Sequence, residues 1–106
     1  MVRRSFTAVI EKNTTFEGPF ETEPYEAGWA GEARWFIRVI ELTGTLDVFA
    51  QLSPDGLFWC YEGGQRLSMK QPGMASFAMR DFGGWLRLRV ELEGKAKVMI
   101  YLVLKE

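Results

Sequence analysis

The sequence contains no histidine and a single cysteine, Cys60. Without imidazole it lacks the side chain that most often moves protons near neutral pH, and the commonest metal ligand. Histidine-based triads and histidine metal centres are therefore excluded by composition alone. One cysteine cannot form an intrachain disulfide, nor supply a cysteine zinc or iron–sulfur site within one chain. A nucleophilic thiol needs a base or an electropositive pocket beside it, so Cys60 is expected to be a half-buried structural residue. Charge of one sign is also missing: 13 basic residues nearly balance 14 acidic ones. A general nucleic-acid binder uses a basic excess to displace phosphate counterions, and the totals provide none. Long apolar runs are absent as well. No stretch approaches the roughly 18 uncharged residues of a transmembrane helix. Arg3-Arg4-Ser5-Phe6 looks superficially like a twin-arginine export signal, but its apolar run from Phe6 to Ile10 is broken by Glu11 and Lys12. A signal needs about 7 to 15 apolar residues there. The expectation is a soluble protein, intracellular at synthesis, with no signal peptide, no membrane partner and no nucleic-acid partner.

What the chain does contain is a period of two. At 106 residues and 47% hydrophobic content it has the size and core material of one domain. Leu86, Leu88, Val90 and Leu92 alternate with charged residues, and Val98, Ile100, Leu102 and Leu104 repeat the pattern after Gly94. Each run reads as a strand with one buried face, and the pair as a hairpin turning at Gly94. Trp35, Ile37 and Val39, then Leu46, Val48, Ala50 and Leu52, read as a second hairpin turning at Thr43-Gly44-Thr45. The aromatic and β-branched content of residues 34–42 favours strand over helix. Ser53-Pro54-Asp55-Gly56 is a strong turn, with Leu57 to Tyr61 returning as a strand. Glu62 to Gln65 is a further turn candidate, and Pro72-Gly73 separates two weaker strands. Phe6 to Lys12 and Thr15 to Phe20 look like strands around Asn13, followed by a long loop around 19–31. About eight short strands without a helix predict an all-β, antiparallel, jelly-roll-like β-sandwich in a single domain.

Chemistry-bearing motifs are few. Paired carboxylates are the remaining route to acid/base work without histidine, but sequence spacing alone does not place any two of Glu11, Glu17, Glu21, Glu23, Glu26, Asp47 and Asp55 across a bond to be broken. Their expected role is solvated edge and loop charge. The acidic loop 17–26 lacks the EF-hand pattern, and the pairs Gly63-Gly64 and Gly83-Gly84 fit no phosphate-binding frame. Asn13-Thr14-Thr15 matches the glycosylation acceptor only by its shortness. No catalytic residue, cofactor or metal is expected, and the protein is not expected to be an enzyme.

Aromatic residues are the informative excess, 15 of 106. Met99, Tyr101 and Val103 occupy the face opposite Val98, Ile100 and Leu102, and Phe36, Ile40 and Phe49 likewise sit opposite core positions. Strands apolar on both faces are either layered into the core or cover a neighbouring chain. These six are the candidate interface. Trp29, Phe58, Trp59 and Tyr61 are candidate loop recognition residues, because loops at sandwich ends often carry binding.

The order of motifs also resembles a family. Thr43-Gly44-Thr45-Leu46-Asp47-Val48, Gln51-Leu52-Ser53-Pro54-Asp55-Gly56 with Trp59, Leu86-Arg87-Leu88-Arg89-Val90, and the final strand Val98 to Lys105 are similar to small β-sandwich virion structural proteins of tailed bacteriophages and prophages. The likeness covers roughly residues 33–105. It implies a capsid-associated role such as head decoration, with the major capsid protein or other virion proteins as partners. It also implies a location in the virion and a homo-oligomer such as a trimer, joined by edge strands and apolar patches. The competing expectation is a carbohydrate-binding module, which requires Trp29, Trp59 or Tyr61 to be open to solvent.

Overall fold

The computed structural model describes residues 4–106, the side chains of residues 64 and 65 excepted; Arg3 lies outside them. The described residues contain strands and no helix: β1 Ser5–Glu17, β2 Phe20–Glu21, β3 Tyr25–Glu26, β4 Glu32–Ser53, β5 Cys60–Met69, β6 Gly73–Arg80 and β7 Trp85–Lys105. All their pairings are antiparallel.

Two long strands organise the rest. β4 and β7 pair end to end, from Glu32↔Lys105 to Ser53↔Trp85, with one register shift between Val39 and Glu41. A straight strand of 22 residues would measure roughly 73 Å at about 3.3 Å per residue. The longest dimension of the molecule is 44 Å, so the ladder must fold over. It does so where Gly44 faces Gly94. Their φ values of 97° and 114° are open chiefly to glycine. A Cβ on Gly44 would collide with the Glu93 carbonyl, and one on Gly94 with that of Thr43. The glycines thus permit both a conformation and a close backbone crossing.

This arrangement corrects the two expected hairpins. Neither Gly44 nor Gly94 reverses the chain; each bends a strand that continues, and the runs pair with each other rather than with their sequence neighbours. Alternation of side chains is the same in a hairpin and in a bent continuous strand, so periodicity alone does not separate them.

The folded ladder makes two layers. The first holds β1, residues 95–105 of β7, residues 32–43 of β4, and β6. The second holds β2 and β3, residues 85–93 of β7, residues 45–53 of β4, and β5. Four positions per layer account for an all-β antiparallel sandwich built from seven strands. The chain also changes layer at Gly18, whose N–H donates to the Gly94 carbonyl at 3.1 Å, and at residues 70–72. At the opposite, open end the loops 27–31, 54–59 and 81–84 meet: Ala27 N–H donates to the Gly84 carbonyl, and Gly31 N–H to that of Lys105.

The core lies between the layers. Ala33, Trp35, Ile37 and Val39 with Val98, Ile100, Leu102 and Leu104 line one side. Leu46, Val48 and Ala50 with Leu86, Leu88, Val90 and Leu92 line the other, in one continuous cluster. Each fully buried Leu or Val contributes about 1.5–3 kcal/mol by leaving water. Trp35 is the largest of them, and its indole N–H has no hydrogen-bond partner.

Smaller departures have local causes. β1 runs through Asn13, which takes φ 52° within the register shift between Glu11 and Thr14, so one strand stands where two were expected. Phe49 pairs with Arg66 and Gln51 with Tyr61, which makes residues 62–65 a bulge opposite Ala50 instead of a turn between strands. β5 begins at Cys60, leaving Leu57 and Phe58 in the loop. The expected long loop at 19–31 is present, tacked to β7 by the two-residue strands β2 and β3.

Candidate binding faces

The outer face of the first layer carries the apolar candidates. Phe36 stands directly opposite Tyr101, Arg38 opposite Met99, and Arg34 opposite Val103. Phe36 also faces Ser76 on β6. All of Phe36, Met99, Tyr101 and Val103 are half-buried by one another. The Tyr101 hydroxyl donates to Met99 Sδ at 3.2 Å, and Arg34 Nη1 to Ser76 Oγ at 3.0 Å. Ile40 follows at the register shift, beside Arg38 and Met74 in a groove near the bend. Five of the six interface candidates therefore share one surface.

Phe49 is the exception and lies on the outer face of the second layer, opposite Arg66 and Arg89. Its ring meets Tyr61 edge-on at 5.8 Å, and the Arg66 guanidinium sits 5.7 Å from its centroid. The surroundings are charged. Arg87 Nε donates to the buried Gln51 Oε1 at 2.6 Å, its Nη2 pairs with Glu21 at 2.9 Å, and its guanidinium lies 4.3 Å over the Trp59 ring. Arg89 pairs with Glu91 at 2.8 Å. That hydrogen bond, opposed by desolvation and helped by the nearby carboxylates, holds the Arg89 guanidinium above its ordinary pKa. Asp47 accepts from the Ser68 hydroxyl and from Arg66. The Ser68 bond is the main reason its carboxyl is held below the usual range. Glu21 is thus bonded into a network, where the sequence suggests only solvated loop charge.

The open end presents a stiff loop. Ser53 Oγ accepts the N–H groups of Asp55 and Gly56 and donates to Asp55 Oδ1, which in turn accepts from Leu57 and Phe58 N–H at 2.8 and 3.0 Å. These backbone donors, Phe58 first, lower the Asp55 pKa. The turn expected at Ser53-Pro54-Asp55-Gly56 is confirmed. Beyond it Leu57 and Phe58 are 76% and 77% exposed. Leu57 was expected in a strand; its only sequence signal is that Leu57-Phe58-Trp59 breaks the apolar alternation.

The loop candidates divide. Phe58 and Tyr61 are exposed, whereas Trp59 lies under Arg87 and Trp29 under Arg4, at 4.4 Å, both half-buried. A sugar-stacking platform needs a bare ring face, and of the three rings named for it only Tyr61 is exposed. Cys60 is exposed, not half-buried, because it opens the edge strand β5; its Sγ lies 3.8 Å from the Leu52 carbonyl. Among the described residues no three Asp, Glu or Cys side chains gather as metal ligands.

No family model matches the chain, and none of the curated proteins matches it in sequence. Solved structures do resemble it. The PBSX exported protein XepA superposes with a TM-score of 0.73 at 7% identity, over 93% of this chain and 36% of XepA. The SPBc2 prophage-derived protein YomS gives 0.65 at 9% identity, over 100% and 96%. Tripeptidyl peptidase 2 gives 0.60 at 15%, over 94% of this chain and 10% of that enzyme. The chain spans about a third of XepA. At these identities what is shared is the fold, which a prophage-derived protein, an exported protein and a part of a large peptidase all carry.

Proposed function

We propose that this protein is a non-enzymatic bacteriophage structural protein that decorates and stabilises the assembled head shell, docking through the outer face of its first layer. One observation carries the reading: Phe36, Met99, Tyr101 and Val103, picked out as apolar residues opposite core positions, converge on a single surface around the Phe36–Tyr101 pair. Cross-strand contacts among such side chains stabilise the sheet only modestly, and a contiguous exposed patch of them is typical of an interaction site. Covering the exposed part of these half-buried side chains contributes less than the roughly 1.5–3 kcal/mol of full burial each, and repetition of the contact over a lattice adds to it. Prophage origin of one fold neighbour, YomS, supports the setting. The major capsid protein is the partner in this reading, and the virion its location.

The test is co-sedimentation of the purified protein with head shells of its own phage, with and without the protein's gene. Saturable binding to shells lacking it, and its presence in native particles, are the expected results. Absence from particles together with failure to bind the shells would overturn the proposal.

A further inference from the structure

Every open sheet layer has two edges, and an edge strand offers unpaired backbone groups to any other strand unless it is blunted. Three of the four edges here are blunted. β1 is broken by two register shifts, with Glu11 between them and Lys12 inside the second. β5 bulges at residues 62–65 and bears Arg66. β2 and β3 are two residues each and separated by Pro24. β6 differs from all of them. It pairs with β4 from Glu32↔Arg80 to Val39↔Gly73 without a register shift. It has no proline and no charge from Gly73 to Met79, and its outward residues Met74, Ser76 and Ala78 leave the edge flat.

The charges that flank β6 are polarised. Arg38, opposite Met74, and Lys70 stand at its Gly73 end; neither joins an ion pair among the described residues, although Lys70 lies within Coulombic reach of Asp47. Asp81, exposed and likewise outside those pairs, stands at the other end, next to an Arg80 already bridged to Glu32 at 3.4 Å. Parallel pairing of two such edges would set like charges together. Antiparallel pairing about a two-fold axis brings Asp81 of each copy to the end of the other where Lys70 stands, with Arg38 one strand further in.

From this we infer that β6 is a self-association edge: a second copy of this chain pairs with it antiparallel, joining two first layers into one eight-stranded sheet. The joined sheet also makes the two Phe36–Tyr101 surfaces continuous, since Phe36 is one strand away, opposite Ser76. The inference stands apart from shell docking, because oligomeric state is measured on the protein alone.

Sedimentation velocity of the full chain over a concentration series tests it, with near-ultraviolet circular dichroism as the check on folding. The wild type should dimerise, more weakly as salt is added. Ser76→Lys/Ala78→Lys, on the solvent side, should leave a folded monomer. Asp81→Lys and Arg38→Glu/Lys70→Glu should each weaken the dimer at least tenfold, and the three together should restore it, which a folding defect would not. A wild type that stays monomeric, or an oligomer indifferent to these changes or broken only by Tyr101→Lys, would overturn the inference.

Discussion

The two outer faces of this sandwich are built on the same two strands and yet have opposite chemistry. On the first layer the outward residues of β4 and β7 include the apolar Phe36, Met99, Tyr101 and Val103, flanked by Arg34 and Arg38. On the second layer the same strands, past the glycine bend, turn out Asp47, Phe49, Arg87, Arg89 and Glu91, with the buried Gln51 bonded to Arg87, and nearly every charge has a partner at hydrogen-bond distance. A surface whose polar groups satisfy one another gains little from a partner, since any contact must first break those bonds. An apolar stripe has no such obligation. In the proposed reading the second face serves internal stability and the first is the docking surface.

That assignment can be broken at several points. The largest effect is expected at the bend that separates the faces: Gly94→Ala puts a Cβ into the Thr43 carbonyl and asks alanine to adopt φ 114°. It should cost more than about 4 kcal/mol or abolish folding, as read from urea denaturation, because both layers share that crossing. Arg87→Ala comes next. It strands the buried Gln51 oxygen and uncovers Trp59, so a loss of about 1–3 kcal/mol is expected, with a red shift of tryptophan emission. If the second face were merely decorative, that variant would unfold with the wild type. Tyr101→Ser on the first face should change stability by less than about 1 kcal/mol in the same denaturation experiment, because the ring is only half-buried there.

The smallest effect concerns acid. The carboxyls of Asp55 and Asp47 titrate below their ordinary values in the folded chain. Their contribution is therefore present above the unfolded carboxylate range, near pH 4, and is lost as pH falls through the lower folded values. Hydrogen exchange at the Leu57 and Phe58 amides, which Asp55 holds, should accelerate below about pH 4 relative to the amides of β7. Uniform exchange behaviour would mean the loop is held by something else.

Much of the fold is legible in the residues. Alternation in 86–92 and 98–104 identifies the buried and outward sets correctly, and the Ser53-Pro54-Asp55-Gly56 turn is readable from side-chain chemistry that acts within four residues. Pairing is not local, and there the reading fails. Nothing within 34–52 says that these residues bond to 85–105 instead of doubling back, since the decisive event is the meeting of Gly44 with Gly94. The candidate face was legible because its members sit opposite core residues on the same strands. The Arg87 network was not, because Glu21, Gln51, Trp59 and Arg87 come from four separate parts of the chain. Phe49 shows the same limit: it obeys the two-faced rule, but the bend carries it to the other layer.

The most direct test sets the two faces against each other on the same shells. Phe36→Lys/Tyr101→Lys and Phe49→Lys/Asp47→Lys, each verified as folded, are compared with the wild type for binding to head shells that lack the protein. The account predicts that the first pair loses binding by at least a hundredfold while the second binds like the wild type. Retained binding by the first pair, with loss in the second, would contradict it.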